Sequence, residues 1–236
     1  MKNQVIKLLT VDNLAFPPVE NALTEPNGLL AVGGDLSVER LQSAYQSCVF
    51  PWYSDGDSIM WWSPDPRGII LIDQLRINRT LRKVLKQQNF TVTLNHAFDR
   101  VIKFCADAPF RKEETWIVDE MLQAYQNLHN HGVAHSIEVW MDGELAGGLY
   151  GVAINGYFSG ESMFYRKNNG SKIALIYLSQ LLKSQNISLI DCQMLNPFLE
   201  DMGCIEIPRS HFISLQAKAL SISLPPNFWL PRQLTL

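Results

Sequence analysis

The chain has 236 residues, of which 47% are apolar and 18% charged, a composition that supports a substantial core and excludes a disordered protein. The net charge of −3 excludes a general basic field, so any nucleic-acid contact must come from a local basic surface. Neither an apolar run of about 18 residues nor the apolar segment of a signal peptide is present. We therefore expect a cytoplasmic protein that does not enter a membrane.

The first 64 residues predict a small N-terminal domain. Ser37 is a plausible helix N-cap, and Glu39 in the first turn would interact favourably with the helix dipole. A helix of about 11 residues should follow and end at Pro51, with an apolar face formed by Leu41, Ala44, Tyr45 and Cys48. Pro64 and Pro66 mark the best candidate for a boundary, which gives domains at 1–64 and 65–236.

Residues 77 to 88 predict an amphipathic helix with a strongly basic face. Between Gln74 and Phe98 the sequence contains no aspartate or glutamate. A basic face without acidic neighbours is the electrostatic pattern of a polyanion-binding surface, although an ordinary solvated helix face fits the pattern equally well. The basic residues of this segment are Arg76, Arg79, Arg82, Lys83 and Lys86.

The rest of the chain predicts alternating strands and helices. A strand is expected at 90–95, followed by helices at 96–105 and from Ile117 to about His131. The segment 135–164 predicts three antiparallel strands joined by turns at Asp142-Gly143 and Asn155-Gly156, with glycines in the middle strand that suggest a bulge or a close backbone approach. A buried helix should span about 171–183. This order of elements is typical of an α+β protein with a mixed sheet, flanking helices and a GNAT-like (N-acyltransferase-like) C-terminal domain.

Cysteine and histidine spacing does not predict a metal site. His129 and His131 would point apart on a helix, and His135 lies beyond a glycine in the next strand. The cysteines include no C-x-x-C pair, which predicts free thiols in a reducing compartment. They are Cys48, Cys105, Cys192 and Cys204.

The segment 157–196 carries the candidate chemistry. One strand presents Glu161, and a later short strand presents Asp191 and Gln193, whose side chains should share one side of a regular strand. The three side chains could face a common cleft, although a structural, salt-bridged carboxylate is an equally good explanation for each acid. No Ser or Cys nucleophile with a base is apparent, which favours direct attack by an amine on an activated acyl group.

The polar loop 166–172 opens onto the N-terminus of a helix, where free backbone N–H groups can bind phosphate. Acetyl-CoA enzymes have a loop that is richer in glycine at this place. The sequence therefore favours a phosphate contact more than it favours a CoA site.

Blocks of sequence along nearly the whole chain match one known family in its own order. They are EPNGLLAVGGDLS (25–37), AYQSCVFPWYSDGDSIMWWSPDPRGII (44–70), TWI (115–117), AHSIEVW (134–140), GGLYGV (147–152), GESMF (160–164), SKIAL (171–175), LIDCQMLN (189–196), MGCIEIPR (202–209) and PPNFWLPR (225–232). In these blocks the sequence resembles the bacterial leucyl/phenylalanyl-tRNA–protein transferases. This family uses aminoacyl-tRNA to add Leu or Phe to an N-terminal Arg or Lys and so marks the acceptor protein for degradation.

The resemblance implies a role for individual residues. Glu161 would hold the aminoacyl amino group, and Asp191 and Gln193 would activate or align the attacking α-amine. Trp52 and Trp116 would contact the terminal adenosine, with Asn196 assisting at the adenosine or ester. The pocket for the Leu or Phe side chain would be lined by Met163, Leu175, Leu178 and Ile190. The basic helix would bind the tRNA phosphates.

The resemblance implies no cofactor, and we expect a monomer. It leaves open the preference among Leu, Phe and Met and the acidic pocket for the acceptor, for which Glu113, Glu114 and Glu138 are candidates. Two other functions stay possible from the residues alone. One is a CoA-dependent N-acyltransferase on the same fold, and the other is a non-catalytic module that binds tRNA or a degradation signal.

Overall fold

The computed structural model describes residues 6–107 and 117–236, which form two β-sheets with flanking helices. The first sheet contains β1 (Lys7–Leu9), β2 (Leu29–Gly33), β3 (Phe50–Pro51) and β4 (Met60–Trp62) in the order β1-β2-β4-β3. Strand β1 is parallel to β2, whereas β4 is antiparallel to both of its neighbours. The chain is therefore an α+β protein whose N-terminal part forms its own small sheet.

Helix α1 (Val38–Gln46) connects β2 to β3 and begins as the sequence predicts. The Ser37 side chain accepts a hydrogen bond from the backbone N–H of Arg40, 3.3 Å away, and thereby caps the first turn. The helix ends at Gln46, earlier than the predicted end at Pro51. Cys48 has φ = 62°, a left-handed conformation that ends the helical path before the proline is reached.

The second sheet has eight strands in the order β11-β5-β10-β9-β8-β7-β6-β12. Strands β9 and β10 are parallel, and the other neighbouring pairs are antiparallel. The predicted three-strand meander is confirmed as β7, β8 and β9. The strands are β5 (Arg67–Leu71), β6 (Thr91–Leu94), β7 (Ala134–Met141), β8 (Glu144–Ile154), β9 (Tyr157–Tyr165), β10 (Leu189–Gln193), β11 (Cys204–Ile207) and β12 (Arg232–Leu234).

Six further α-helices and two short 3-10 helices complete the described part of the chain. The α-helices are α2 (Arg79–Gln87), α3 (Phe98–Ala106), α4 (Asp119–Asn130), α5 (Gly170–Lys183), α6 (Pro197–Asp201) and α7 (Arg209–Leu220), and the 3-10 helices are Val19–Asn21 and Ile72–Gln74. Within the ranges that the structure describes, no helix has the length and apolar character needed to cross a bilayer.

Both faces of the second sheet are buried. One face packs against α1, α3, α4 and α7, and this core includes Leu41 and Trp61 from the N-terminal part. The other face packs against α5, with Leu81 of α2 and Phe228 of the C-terminal tail. In the sequence, the first sheet ends at β4 and the second begins at β5, but the two sheets share one hydrophobic core. A domain boundary between residues 64 and 65 therefore stays a prediction.

A glycine contact brings α5 close to the sheet. A Cβ atom on Gly147 of β8 would lie 2.5 Å from the carbonyl carbon of Gly170, the first residue of α5. The close backbone approach predicted from the glycines of the middle strand is thus confirmed. It places the first turn of α5 directly over β8, and the helix packs against β7, β8 and β9.

Candidate functional site

A cavity of about 1000 Å³ lies between the second sheet and helices α5 and α6. Strands β9 and β10 are paired at one position, Asp191 opposite Ser159. Their hydrogen-bonded pairing therefore ends where the cavity opens. Most of the predicted site residues line this cavity, and Trp52, which is 41% exposed, lies at its mouth. The predicted residues found in the lining are Trp52, Glu161, Met163, Leu175, Leu178, Ile190, Gln193 and Asn196.

Glu161 reaches the cavity from a β-bulge and not from a strand end. Tyr150 of β8 pairs with Ser162 and Gly151 pairs with Gly160, which leaves Glu161 as the extra residue in the middle of β9. Such a bulge redirects a side chain and is common beside active sites. The bulge therefore explains how a residue in the interior of a strand lines the cavity.

Neutral hydrogen-bond donors surround the Glu161 carboxylate. Tyr125 donates its hydroxyl to Oε2 at 2.8 Å, while Ser159 Oγ and Gln193 Nε2 donate to Oε1 at 3.0 and 2.9 Å. The Tyr45 hydroxyl lies 2.5 Å from that of Tyr125 and extends the network into α1. Because no cation contacts Glu161 among the described residues, its negative charge is available to a ligand.

Burial raises the pKa of Glu161 to about 7, although the hydrogen bonds from Tyr125, Tyr45 and Ser159 act in the opposite direction. The nearby Asp191 carboxylate raises the pKa further. A carboxyl group with a pKa near neutrality can hold an ammonium group and can also exchange a proton with it. Glu161 thus has the electrostatic properties of a functional group and not of a solvated surface acid.

Asp191 lies beneath the cavity and does not line it, in contrast to the expectation that it shares the cleft with Glu161. It is completely buried and forms a two-point ion pair with Arg67 of β5, with Nε–Oδ1 and Nη2–Oδ2 distances of 2.9 and 2.7 Å. Tyr157 donates its hydroxyl to Oδ2 at 2.5 Å. Burial alone would lower the pKa of Arg67, because it disfavours the charged guanidinium. The charge of the Asp191 carboxylate and its hydrogen bonds together outweigh this effect and raise the pKa of Arg67.

Gln193 occupies the cavity edge because β10 is irregular after Asp191. The register with β5 shifts between residues 191 and 193, and Gln193 has φ = 64°. The backbone N–H of Gln193 donates to Oδ1 of Asp191 at 2.9 Å, so the buried carboxylate fixes this conformation. The Gln193 side chain then reaches Glu161. Cys192, which lies between Asp191 and Gln193, also lines the cavity. The adjacent Cys204 thiol and burial raise the pKa of Cys192, which stays a neutral thiol.

The aromatic and amide groups at the cavity have defined partners. Trp62 donates its indole N–H to the carbonyl of Trp52 at 2.6 Å, and the two rings meet edge to face at 5.6 Å. Asn196 accepts a hydrogen bond from the backbone N–H of Leu199 and caps α6, which leaves its amide N–H₂ for a ligand. The predicted Trp116 contact lies outside the described residues, as do Glu113 and Glu114.

Two other sequence candidates have structural partners. Glu138 is fully buried, where Thr93 and Ser136 donate to it, and it also accepts from backbone N–H groups before α3. It therefore cannot form an acceptor pocket at the cavity. His135 is also buried, and its Nδ1 lies 2.9 Å from Nδ2 of Asn95.

The predicted basic helix begins at Arg79 and is capped by Asn78, whose side chain accepts from the backbone N–H of Leu81. Leu81 is buried, whereas the basic side chains predicted to bind nucleic acid are exposed. None of these cations pairs with a carboxylate in the part of the chain that the structure describes. The exposed cations are Arg76, Arg79, Arg82, Lys83 and Lys86.

Sequence patterns did not identify several residues of the site. Arg67, Tyr45 and Tyr125 reach Asp191 or Glu161 from elements far away in sequence, and Phe158 looks like an ordinary core residue. The arginine within an apolar strand was a usable signal, because a buried guanidinium requires a carboxylate partner.

Taken together, the site consists of an apolar slot, the Glu161 carboxylate, which no cation contacts among the described residues, and the Gln193 amide beside it. These groups can bind an apolar side chain next to an ammonium group and align a second amine for attack on a carbonyl carbon. In the described residues, no group of three His, Cys, Asp or Glu side chains is arranged to bind a metal ion.

Comparison with known proteins identifies relatives over nearly the full length. Residues 69–217 match the family model described as leucyl/phenylalanyl-tRNA protein transferase, and residues 34–65 match the model for the N-terminal domain of that family. The chain is 59% identical to the leucyl/phenylalanyl-tRNA–protein transferase of Colwellia psychrerythraea (strain 34H / ATCC BAA-681), covering 99% of each chain. It is 49% identical to the protein of the same name from Pseudoalteromonas translucida (strain TAC 125), covering 99% of this chain and 98% of that one.

Similarity to solved structures is lower. The structure of L-PGS from Bacillus licheniformis matches with a TM-score of 0.39 and 15% identity, covering 87% of this chain and 66% of that chain.

We predict that the Glu161 carboxyl makes stability depend on pH. Its pKa is about 7 in the folded protein against 4.5 for an ordinary glutamate, so its contribution is fully present below pH 4.5 and is lost as the pH rises through 7. Glu161→Gln removes this loss, which is on the order of 3 kcal/mol. Thermal unfolding from pH 5 to 8 should show wild type losing stability relative to Glu161→Gln.

The same substitution at the exposed Glu39 of α1 is the matched control for the change of charge. If wild type and Glu161→Gln show parallel pH profiles, the carboxyl does not titrate near neutrality and this description of its surroundings is incorrect.

Proposed function

This chain belongs to the leucyl/phenylalanyl-tRNA–protein transferase family, and we propose that the cavity beside Glu161 and Gln193 is where its reaction takes place. The enzyme is an aminoacyl-tRNA-dependent acyltransferase that moves leucine or phenylalanine to the amino terminus of a protein. The observation that carries the assignment of the site is an apolar cavity with a carboxylate that no cation of the described residues neutralises.

The apolar part of the cavity receives the aminoacyl side chain. Met163, Leu175, Leu178 and Ile190 line it, and the three that belong to α5 and β10 are almost fully buried. Burying a Leu or Phe side chain contributes about 1.5–3 kcal/mol, which a small or charged side chain forfeits. This difference supports selection of large apolar amino acids.

Glu161 holds the α-ammonium group of the aminoacyl ester. Its carboxylate lies at the edge of the apolar slot, and within the described ranges its hydrogen bonds come from the neutral groups of Tyr125, Ser159 and Gln193. An incoming ammonium group therefore supplies the missing positive charge and favours the ionised form of Glu161. Trp52 and Trp116 contact the terminal adenosine, and the Asn196 amide N–H₂ donates at the adenosine or the ester.

Gln193 aligns the acceptor amine. The nitrogen of the acceptor forms a bond to the ester carbonyl carbon, the bond from that carbon to the ribose oxygen breaks, and the proton of the amine ends on the ribose hydroxyl. Positioning of the two reactants supplies most of the rate, because no covalent intermediate is required. Asp191 acts through Gln193, since it is buried and bonds to the Gln193 backbone N–H.

The acceptor approaches beside Trp52. A small second cavity of about 60 Å³ adjoins the two side chains that hold and align the amines, Glu161 and Gln193. Its lining consists of Phe50, Pro51, Trp52, Glu161, Gln193 and Met194. We assign the acceptor a terminal Arg or Lys, and its modification a role in marking proteins for degradation. The enzyme acts as a cytoplasmic monomer, with a GNAT-like domain at 65–236 and a small N-terminal domain at 1–64.

The proposed reaction is tested by transfer of radiolabelled leucine from leucyl-tRNA to peptides that begin with Arg or with Ala. We expect transfer to the Arg peptide and a loss of at least ~10-fold in kcat/KM for Gln193→Ala, because the amine is no longer aligned. Gln46→Ala, at an exposed position in α1, is the matched control. Equal transfer to both peptides, or full activity of Gln193→Ala, contradicts the proposal.

The exposed basic face of α2 binds the tRNA backbone through phosphates. The combined Arg79→Glu and Lys83→Glu substitutions should raise KM for leucyl-tRNA and reduce the slope of log KM against log salt by roughly 1.5–2, because two phosphate contacts are lost. kcat should change little, since α2 does not line the cavity.

A control with the same change of charge is Lys103→Glu with Lys218→Glu, on the exposed sides of α3 and α7. These helices pack on the opposite face of the sheet from α2. If both double variants alter KM and its salt dependence to the same extent, α2 has no specific role in binding tRNA.

A further inference from the structure

An aromatic stack closes one end of the cavity, and its outer members are not part of the lining. Phe158 lines the cavity and is 1% exposed, whereas Tyr165, at the other end of the same strand, is 42% exposed. The ring of Trp229 stacks behind Phe158 at 5.8 Å with an interplanar angle of 30°. His135 stacks on the far side of Trp229 at 4.1 Å and 7°. Phe158 therefore forms the closed end of the slot.

The Phe158 ring lies where a side chain at Gly151 would otherwise be. A Cβ atom on Gly151 would meet the carbonyl oxygen of Ser159 and would lie 2.5 Å from Cζ of Phe158, so the glycine leaves room for both the neighbouring strand and the ring. The ring cannot move toward the sheet, and Trp229 blocks its movement away from the cavity. The position of Trp229 thus determines where the slot ends.

The C-terminal tail is fixed on both sides of Trp229. Asn95 donates its amide N–H to the carbonyl of Trp229 at 2.6 Å, and Nδ2 of the same amide lies 2.9 Å from Nδ1 of His135. Beyond it, β12 pairs with β6 at the sheet edge, with Arg232 opposite Leu94. On the other side, Phe228 is buried in the core and meets Trp229 edge to face. These contacts make the tail a rigid support for Phe158.

Gly160 leaves the floor of the same slot open. It lines the cavity, and the atoms nearest to an added Cβ would be the Asp191 carbonyl oxygen at 3.5 Å and Ile190 Cγ2 at 3.9 Å. These are ordinary van der Waals distances, and φ at Gly160 is not in the left-handed region. An alanine would therefore fit without backbone strain and would place its methyl group in the space that a ligand occupies.

We propose that Trp229 determines the length of the aminoacyl slot by holding Phe158 as its end wall, and that Gly160 determines its depth. The C-terminal tail then sets which side chains the enzyme accepts, with Trp229 as a positioning residue that does not touch the substrate. This inference rests on the proposed function of the cavity. It adds a selectivity element that lies outside the cavity lining.

The experiment measures kcat/KM for leucyl-, phenylalanyl- and tryptophanyl-tRNA with wild type, Trp229→Ala, Trp229→Phe and Gly160→Ala. In Trp229→Ala, Phe158 can retreat, so the Trp:Leu and Phe:Leu ratios should rise by about 10-fold or more, the low end of the discrimination that one pocket group provides. Trp229→Phe should restore most of the wild-type ratios. Gly160→Ala should act oppositely and lower Phe:Leu by about 10-fold.

Leu230→Ala, at the neighbouring exposed position of the tail, is the matched control and should leave all ratios unchanged. A ratio of two rates does not respond to a general loss of folded enzyme, so it separates selectivity from stability. If Trp229→Ala does not fold, Trp229→Leu takes its place, because it keeps an apolar side chain but lacks the ring behind Phe158, and it should raise the same two ratios. Wild-type ratios in Trp229→Ala and in Gly160→Ala overturn the inference. Absence of any transfer by wild type would overturn the proposed function instead.

Discussion

The buried ion pair between Arg67 and Asp191 is the interaction on which the rest of the site depends. Both side chains are completely buried, and the guanidinium also lies 4.8 Å and 4.7 Å from the ring centroids of Phe50 and Phe212. Its Nη1 donates to the Cys48 carbonyl at 3.2 Å. One arginine thereby joins the N-terminal sheet, α7 and the strand that carries Gln193. Removing either partner would leave a buried charge uncompensated, at a cost of about 3–5 kcal/mol.

Two carboxylates a short distance apart have opposite surroundings, and this difference assigns their roles. Arg67 neutralises Asp191 beneath the cavity, where Asp191 holds the backbone of Gln193. Burial raises the pKa of Glu161, and no cation contacts its carboxylate among the described residues, so its charge becomes useful when a cationic ligand arrives. In the proposed mechanism, one acid maintains geometry and the other binds substrate. A second charged partner at Glu161 would abolish its affinity for an ammonium group.

The sequence predicted the parts of this structure that depend on local chemistry. Serine capping at Ser37, turn residues such as Asp142-Gly143 and the apolar periodicity of α5 each act within a few residues, and the structure contains the corresponding elements. Glu161 and Gln193 were predicted from the order of the strands, the family resemblance added their roles and the apolar slot, and all of these lie together at the cavity.

The contacts that shape the site are long-range, and local patterns contain little information about them. Arg67 and Asp191 are 124 positions apart, and the two tyrosines behind Glu161 are 80 apart. The register shifts at Glu161 and after Asp191 lie where these long-range contacts are made. Regular alternation along β10 could not predict that Asp191 is enclosed while Gln193 lines the cavity, because the strand is irregular after Asp191.

The most direct measurement of the central claim is a double-mutant cycle between Asp191→Asn and Gln193→Ala, with kcat/KM for leucyl transfer measured at a temperature where all four proteins are folded. If Asp191 acts through Gln193, Asp191→Asn should lower kcat/KM clearly in wild type and change it by less than about 2-fold when Gln193 is already alanine. If the two losses multiply in the double variant, Asp191 acts on the substrate independently, and its description as an anchor for Gln193 is wrong.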